Sequence, residues 1–271
     1  MTDRSLRDLF HFVVEAVPPE QQLVTVSSET KVCDALRLML ERGFSQLPVI
    51  EGNEVLGTFS YRSFAKGLTH LPEKERNPLC LPVEEFTEDL RFASVRDELS
   101  SLLDEFDLMG AMLVGSPDRL QGIVTTSDAL RYFHAVASPY VMLREIELAI
   151  RVLISVCVSQ EELAECVEQS LAKHYRTNGK EPPARLEEMS FQDYVTLLQF
   201  RGKWERFRPG FGASADIAHA KLAPLPELRN SVFHFRRELT AEEYEVLRAC
   251  RDWLLKRVRK AEAARKVPHN D

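Results

Sequence analysis

The sequence predicts an α+β protein: a strand-helix-strand-strand-helix unit that occurs twice, followed by an all-α helical bundle. Three observations predict it. A pattern of short apolar runs repeats, with Gly57 and Gly122 at matching points about 65 residues apart. After Ser138-Pro139 the apolar residues recur only at helical spacing. A length of 271 residues also exceeds the ~250 at which single cores usually stop growing, so two domains are expected. The division reads as an N-terminal helical arm over 1–22, the repeated module over 23–138, the bundle over 139–260 and a polar tail over 261–271.

The arm, residues 5–17, places Leu6, Leu9, Phe10, Val13, Val14 and Val17 among polar residues, and Pro18-Pro19 stops it. The first copy opens with a strand, Leu23-Val24-Thr25-Val26, and a cap-rich stretch, Ser27-Ser28-Glu29-Thr30. A helix follows from about Val32 to Arg42, with Val32, Ala35, Leu36, Met39 and Leu40 on its buried face. Two strands, Gln46–Ile50 and Val55–Ser60, flank a turn at Glu51-Gly52-Asn53-Glu54. The second copy repeats this order with a helix over about Val95 to Asp107 and strands over Gly110–Val114 and Leu120–Thr125. The three prolines of His70–Pro82 mark a linker between the copies.

Beyond Pro139, helices are expected over about Tyr140–Val158, then from the capping box Ser159-Gln160-Glu161-Glu162 to about Tyr175. A third runs from Ser190 to about Trp204, and Pro209 to Pro224 reads as a long connection. A helix over 226–239 buries Leu225, Leu228, Val232, Phe235 and Leu239, and a last one runs from the capping box at Thr240 to about Arg259.

Composition excludes several classes. No apolar run approaches the ~20 residues of a membrane span, and the first residues lack a signal peptide's apolar core. The five cysteines, at 33, 80, 157, 166 and 250, form no CxxC pair, which argues for reduced thiols in a cytoplasm and against a zinc site. No cluster of His, Asp and Glu suggests a metal, and no phosphate-binding glycine loop suggests another enzyme class. The net charge of −7 divides into −9 over residues 1–138 and +2 over 139–271, so the second half is the one suited to a polyanion. Its basic cluster, Arg201 to Arg208, has a plainer reading as a solvated helix end.

Two motifs carry chemistry. In Gly122-Ile123-Val124-Thr125-Thr126-Ser127-Asp128 a strand ends at a hydroxyl beside a helix start, where unpaired N–H groups and the helix dipole favour anions. Asp128 adds a carboxylate to the first turn of that helix. The first copy ends Ser60-Tyr61-Arg62-Ser63 and lacks that carboxylate. In Arg229-Asn230-Ser231-Val232-Phe233-His234 an arginine, an amide and an imidazole gather within six residues, the groups that suit a phosphodiester. On an ideal helix Asn230 and His234 share a face opposite the apolar stripe, while Arg229 lies roughly 140° from His234. A second copy of the helix would bring the groups together more easily than one helix does.

The doubled unit resembles a tandem pair of cystathionine-β-synthase (CBS) domains, on Leu47-Pro48-Val49, Gly57-Thr58-Phe59-Ser60 and the run Gly122 to Asp128. In that family a Gly-x-x-Ser/Thr-x-x-Asp run closes an adenosine-phosphate cleft. The resemblance implies a regulatory adenine nucleotide, whether AMP, ADP, ATP or S-adenosylmethionine, held by Gly122, Ile123, Thr125 and Asp128. The competing reading is a dimerisation module without ligand, in which Thr125 and Asp128 only end a strand and cap a helix. The run Arg229 to His234 resembles the Arg-Asn-x3-His signature of HEPN domains, helical bundles that include metal-independent endoribonucleases and non-catalytic members. That resemblance covers 140–260 in pattern and only six residues in detail. It implies catalytic roles for Arg229, Asn230 and His234, RNA as partner and a homodimer, with Glu147 as a residue that could orient Arg229. A plain surface pair of Glu147 with Arg151 is the simpler account of that glutamate. The alternative for the whole chain is a non-catalytic nucleotide sensor or scaffold that dimerises.

Overall fold

A computed structural model describes residues 11–71, 77–200 and 202–266. The chain divides into two compact units, Met1–His134 and Ala135–Asp271.

In the first unit, α1 (Val13–Ala16) is followed by β1 (Val26–Ser27), α2 (Val32–Arg42), β2 (Gln46–Glu51), β3 (Glu54–Ser60) and α3 (Tyr61–Leu68). The second copy supplies β4 (Phe92–Ala93), α4 (Leu103–Met109), β5 (Ala111–Ser116) and β6 (Arg119–Thr125). Each copy forms a three-stranded sheet, β1-β2-β3 and β4-β5-β6, with a parallel first pair and an antiparallel second pair. The repeat extends to register. Val49 faces Gly57 and Val114 faces Gly122, and each hairpin shifts register at the next residue. Helices α2 and α4 both end at a left-handed glycine, Gly43 and Gly110, at φ 69° and 77°, where a Cβ would be strained.

Several expected boundaries move. Residues 5–10 of the arm lie outside the described residues, and the rest of it is helical only over Val13–Ala16, where Val13 and Ala16 enter the core of the second copy with Leu99, Met112 and Val124. The first strand is shorter than expected, and α2 starts at Val32, preceded by Lys31 with no side-chain cap from the Ser27–Thr30 stretch. The helix expected over 95–107 begins late. Asp97 Oδ2 accepts from the Ser94 N–H at 2.9 Å and closes a turn there, and a 3-10 turn at Leu99–Leu102 precedes α4.

Helix α5 (Thr126–Cys157) is continuous through Pro139, where a break was expected. Proline removes one backbone bond and crowds the preceding turn. The carbonyl that loses its partner belongs to Ala135, which is exposed, so water can take its place.

In the second unit α5 is followed by α6 (Gln160–Ser170), α7 (Ala172–Thr177), α8 (Phe191–Gln199), α9 (Trp204–Phe211), α10 (Ala215–Leu222), α11 (Leu225–Phe233) and α12 (Ala241–Lys266). One core unites them, built on Ile146, Ile150, Leu153, Tyr194, Phe207, Phe211, Leu225, Leu228, Leu247 and Leu254. The capping box expected at Ser159/Glu162 forms, Thr240 and Glu243 exchange the two bonds of the other, and the start at Ser190 is a capping box with Asp193 as well. The stretch 209–224, expected as a loop, is largely helical: Pro209 sits inside α9, Gly212 ends it and the Ser214 hydroxyl caps α10. The tail expected from 261 is helical as far as Lys266. Among the described residues no helix is long and apolar enough to cross a membrane.

Candidate functional sites

The first candidate site is the turn from β6 into α5. Thr125 Oγ1 accepts from the Asp128 N–H at 3.2 Å, and Asp128 Oδ2 accepts from the Thr125 N–H at 3.0 Å and from its hydroxyl at 2.6 Å. Thr125 and Asp128 are therefore together, as the cap of a 32-residue helix. Asp128 is mostly buried, and its second oxygen, Oδ1, meets only the exposed Arg131 at 3.3 Å. In the first copy Ser60 and Ser63 make the same reciprocal cap for α3. Ser63 contributes a hydroxyl where Asp128 contributes a carboxylate. Capping thus needs an acceptor at this position and not a charge.

Gly122 and Ile123 are engaged differently from expectation. The Gln21 side chain covers the open edge of β6: its Oε1 accepts from the Ile123 N–H at 2.9 Å and its Nε2 donates to the Ile123 carbonyl at 2.8 Å. A Cβ on Gly122 would stand 3.1 Å from Gln21 Oε1 and 3.3 Å from Val17. This glycine admits the crossing segment of chain. The first copy does the same with backbone alone. Thr58 exchanges two bonds with Glu88, at 2.9 and 3.0 Å, and a Cβ on Gly57 would come within 2.6 Å of the Glu88 carbonyl. In each copy, then, the segment leading into one sheet closes the edge of the other. With both backbone groups of Ile123 occupied, only its side chain is free for a ligand.

The second candidate site is the outer face of α11. Leu225, Leu228, Ser231 and Val232 are buried, Arg229 and Asn230 are half-buried, and Phe233 and His234 are exposed. Around the helix axis the last four span roughly 140°, in the order Arg229, Phe233, Asn230, His234. Arg229 Nη1 donates to Asn230 Oδ1 at 3.3 Å, and its guanidinium lies 4.9 Å from the centre of the Phe233 ring. The helix ends at Phe233, with the His234 N–H still bonded to the Asn230 carbonyl at 3.1 Å. His234 is exposed, and its side chain bonds to neither Arg229 nor Asn230.

The expected inward stripe of α11 fails at its end. Phe235 turns out to φ 51° and is 80% exposed, because the helix stops two residues earlier and the chain reverses its hand there. Phe233 and Tyr140 join it: the Tyr140 ring lies 5.5 Å from Phe233 and 6.4 Å from Phe235. Sequence reasoning missed this aromatic set. Phe233 was legible as the i+4 neighbour of Arg229, but Tyr140 lies nearly a hundred residues away in sequence.

Other expectations resolve simply. Glu147 pairs with Arg151, which also donates to the Tyr194 hydroxyl at 2.8 Å, so Glu147 does not orient Arg229. In the basic cluster Lys203 and Arg206 share Glu165, and Arg208 pairs with Glu205. These three cations are paired with their own neighbours, and Arg201 lies outside the described residues. A cavity of about 510 Å³ in this unit is lined by His174, Tyr175, Asn178, Lys180 and Asp193 and by none of the motif residues. There the Tyr175 hydroxyl donates to Asp193 at 2.8 Å, and burial first, then the carboxylate, pushes its pKa up to about 12.

Comparison with known proteins bears on the first unit. The CBS domain family model matches residues 14–70, so the chain contains a CBS domain there. No curated protein matches the chain. Among solved structures, a CBS-domain-containing protein from Agrobacterium tumefaciens is 17% identical, with a TM-score of 0.40 over 45% of this chain and 92% of that one. CBSX2 in complex with AMP is 24% identical, with a TM-score of 0.39 over 46% and 98%. The CBS domain of the bacterial CNNM/CorC family Mg2+ transporter in complex with ATP is 24% identical, with a TM-score of 0.37 over 48% and 92%. The AMP and the ATP are properties of those proteins. Each likeness spans less than half of this chain.

Proposed function

We propose that the protein is an adenine-nucleotide-responsive regulator, with its nucleotide seated at Thr125 and Asp128 of the second copy and its helical unit acting on RNA. One observation carries the nucleotide reading. Asp128 spends one oxygen on the cap, a task that the Ser63 hydroxyl performs equally well in the first copy, and keeps Oδ1 in reserve. A ribose diol can displace the exposed Arg131 from that oxygen, and the Thr125 hydroxyl retains a lone pair for a phosphate-bound water or an N–H donor. AMP, ADP, ATP and S-adenosylmethionine share the group that would be recognised. Asp128→Ser separates the two roles. Calorimetry should show a nucleotide site in the wild type that this variant weakens while α5 stays capped; unchanged affinity would remove the assignment.

The helical unit is read as a metal-independent endoribonuclease, and the outward placement of Arg229, Asn230 and His234 favours this over a packing role. In the reaction His234 takes the 2′-hydroxyl proton or protonates the leaving 5′-oxygen. The 2′-oxygen attacks phosphorus, the bond to the 5′-oxygen breaks, and a 2′,3′-cyclic phosphate remains. Arg229 offsets charge on the pentavalent phosphate, and Asn230 orients Arg229 or a phosphate oxygen. Cleavage should persist in EDTA and fall by about 10²–10⁴-fold in His234→Ala. Activity unchanged by that substitution would leave the non-catalytic scaffold as the better account. Either role suits a homodimer, since Leu40 and Leu108 in the first unit and Val141, Leu148 and Val152 on α5 expose apolar surface that a second copy could cover.

A further inference from the structure

We infer that Phe235, with Phe233 and Tyr140, is a stacking platform for unpaired bases of RNA beside the α11 face. The inference rests on the reading of the helical unit as one that acts on RNA, and it names the form of RNA: single-stranded.

Phe235 is the only non-glycine with positive φ among the described residues. For a bulky side chain that conformation is an outlier and costs free energy. Burial of the ring would offset the cost, yet the ring is 80% exposed. Had α11 continued for one more turn, the same ring would have joined the Leu225, Leu228 and Val232 stripe. The backbone instead carries it out of the core. It lands beside Phe233, itself 41% exposed, and Tyr140, at ring separations of 5.5 and 6.4 Å from the tyrosine.

Three guanidinium groups stand around these rings. Arg229 lies on the Phe233 ring, Arg236 follows Phe235, and Arg144 stands one turn along α5 from Tyr140. None of the three has a carboxylate oxygen within 4.0 Å among the described residues; Glu145, next to Arg144, is bonded to Arg251 and drawn down first by that bond and in part by Arg144. The nearby acids are drawn elsewhere: Arg237 takes both oxygens of Glu243, and Glu227 acts on Arg237 as well. The exposed Phe235 ring beside guanidinium groups that hold no carboxylate matches a base and its phosphate. Bases within a duplex are already stacked on one another, so the platform selects single strands.

A second copy of this chain is the other candidate occupant. A two-fold axis through the patch would set Arg229, Arg236 and Arg144 against themselves, and interface cores are depleted of free charge. An RNA strand brings the opposite charge with it.

The test uses the full chain and a fluorescent single-stranded oligonucleotide with 2′-O-methyl groups, which lacks the attacking hydroxyl, so binding is read apart from cleavage. Phe235→Ala should weaken binding by about 5- to 100-fold, the range of one lost stacked base, and Phe235→Tyr should stay within about twofold of wild type. A duplex of the same sequence should bind more weakly than the single strand. The inference is overturned by absent binding in the wild type, by equal affinity in Phe235→Ala, or by a duplex that binds as well. It is also overturned if light scattering shows that Phe235→Ala loses an oligomer, which would make the patch an interface between copies. Failure here is separable from failure of the catalytic reading. Cleavage that depends on His234 but not on Phe235 keeps the enzyme and loses the platform; Phe235-dependent binding without cleavage does the reverse.

Discussion

Gln21 satisfies both backbone groups of Ile123 across 102 residues of sequence, accepting from its N–H at 2.9 Å and donating to its carbonyl at 2.8 Å. The side chain amide behaves here as one residue of a β-strand, closing an edge that would otherwise be open to a ligand or to another chain. Glu88 does the same for Thr58 with its backbone. The pseudo-symmetry of the two copies is thus one of hydrogen bonding, achieved by different atoms.

Gln21→Glu tests this relationship. A carboxylate keeps the bond from the Ile123 N–H and sets its second oxygen against the Ile123 carbonyl oxygen. The loss should be about 1–3 kcal/mol of unfolding free energy, read by urea titration, with Gln21→Ala similar. A variant as stable as wild type would show that the edge does not need closing.

The cap at Asp128 leads to a graded stability series. Asp128→Ala should cost about 1 kcal/mol, because the Thr125 N–H loses its acceptor. Asp128→Ser should recover most of it, since Ser63 performs the same task in the first copy. Equal losses in the two variants would mean that the carboxylate charge is what matters to the helix.

Relief of the Phe235 conformation should be measurable. Phe235→Gly removes a Cβ from φ 51° and should raise stability by about 1 kcal/mol, less what the contact with Tyr140 contributes. A decrease would show that the exposed ring supports the fold.

Acid should expose the Arg237–Glu243 pair. The guanidinium and the Thr240 N–H hold the Glu243 carboxyl down at about 2, below its ordinary 4.5. A depressed carboxyl stabilises the fold above the unfolded value and loses that contribution as pH falls from about 4.5 towards 2. Glu243→Gln should therefore be less stable than wild type by about 1 kcal/mol near neutral pH, the pair being partly exposed. The two stability curves should converge at the acid end. A gap that stays constant with pH would trace to packing.

What was legible in the sequence was local. The capping boxes at Ser159, Ser190 and Thr240 each involve groups three residues apart, so the residues that form them are also the signal for them. The repeat was legible because each copy is a complete unit, with matching registers at Gly57 and Gly122. The outward face of Asn230 and His234 followed from helical periodicity alone.

The tertiary structure decided what depends on distant partners. Gln21 on Ile123, Val17 over Gly122 and Tyr140 beside Phe235 join residues about a hundred positions apart, and no local pattern encodes them. It also decided where local rules give way. Helix α5 passes through Pro139 because the freed carbonyl lies at exposed Ala135, and α11 ends before its own apolar stripe does. The sequence by itself determined most of the helices and strands and the starts capped at Ser159, Ser190 and Thr240, since propensity and capping act within one turn; the helices within 209–224 were not among them. Which edges are closed, and which rings are left in water, was decided only when the whole chain had packed.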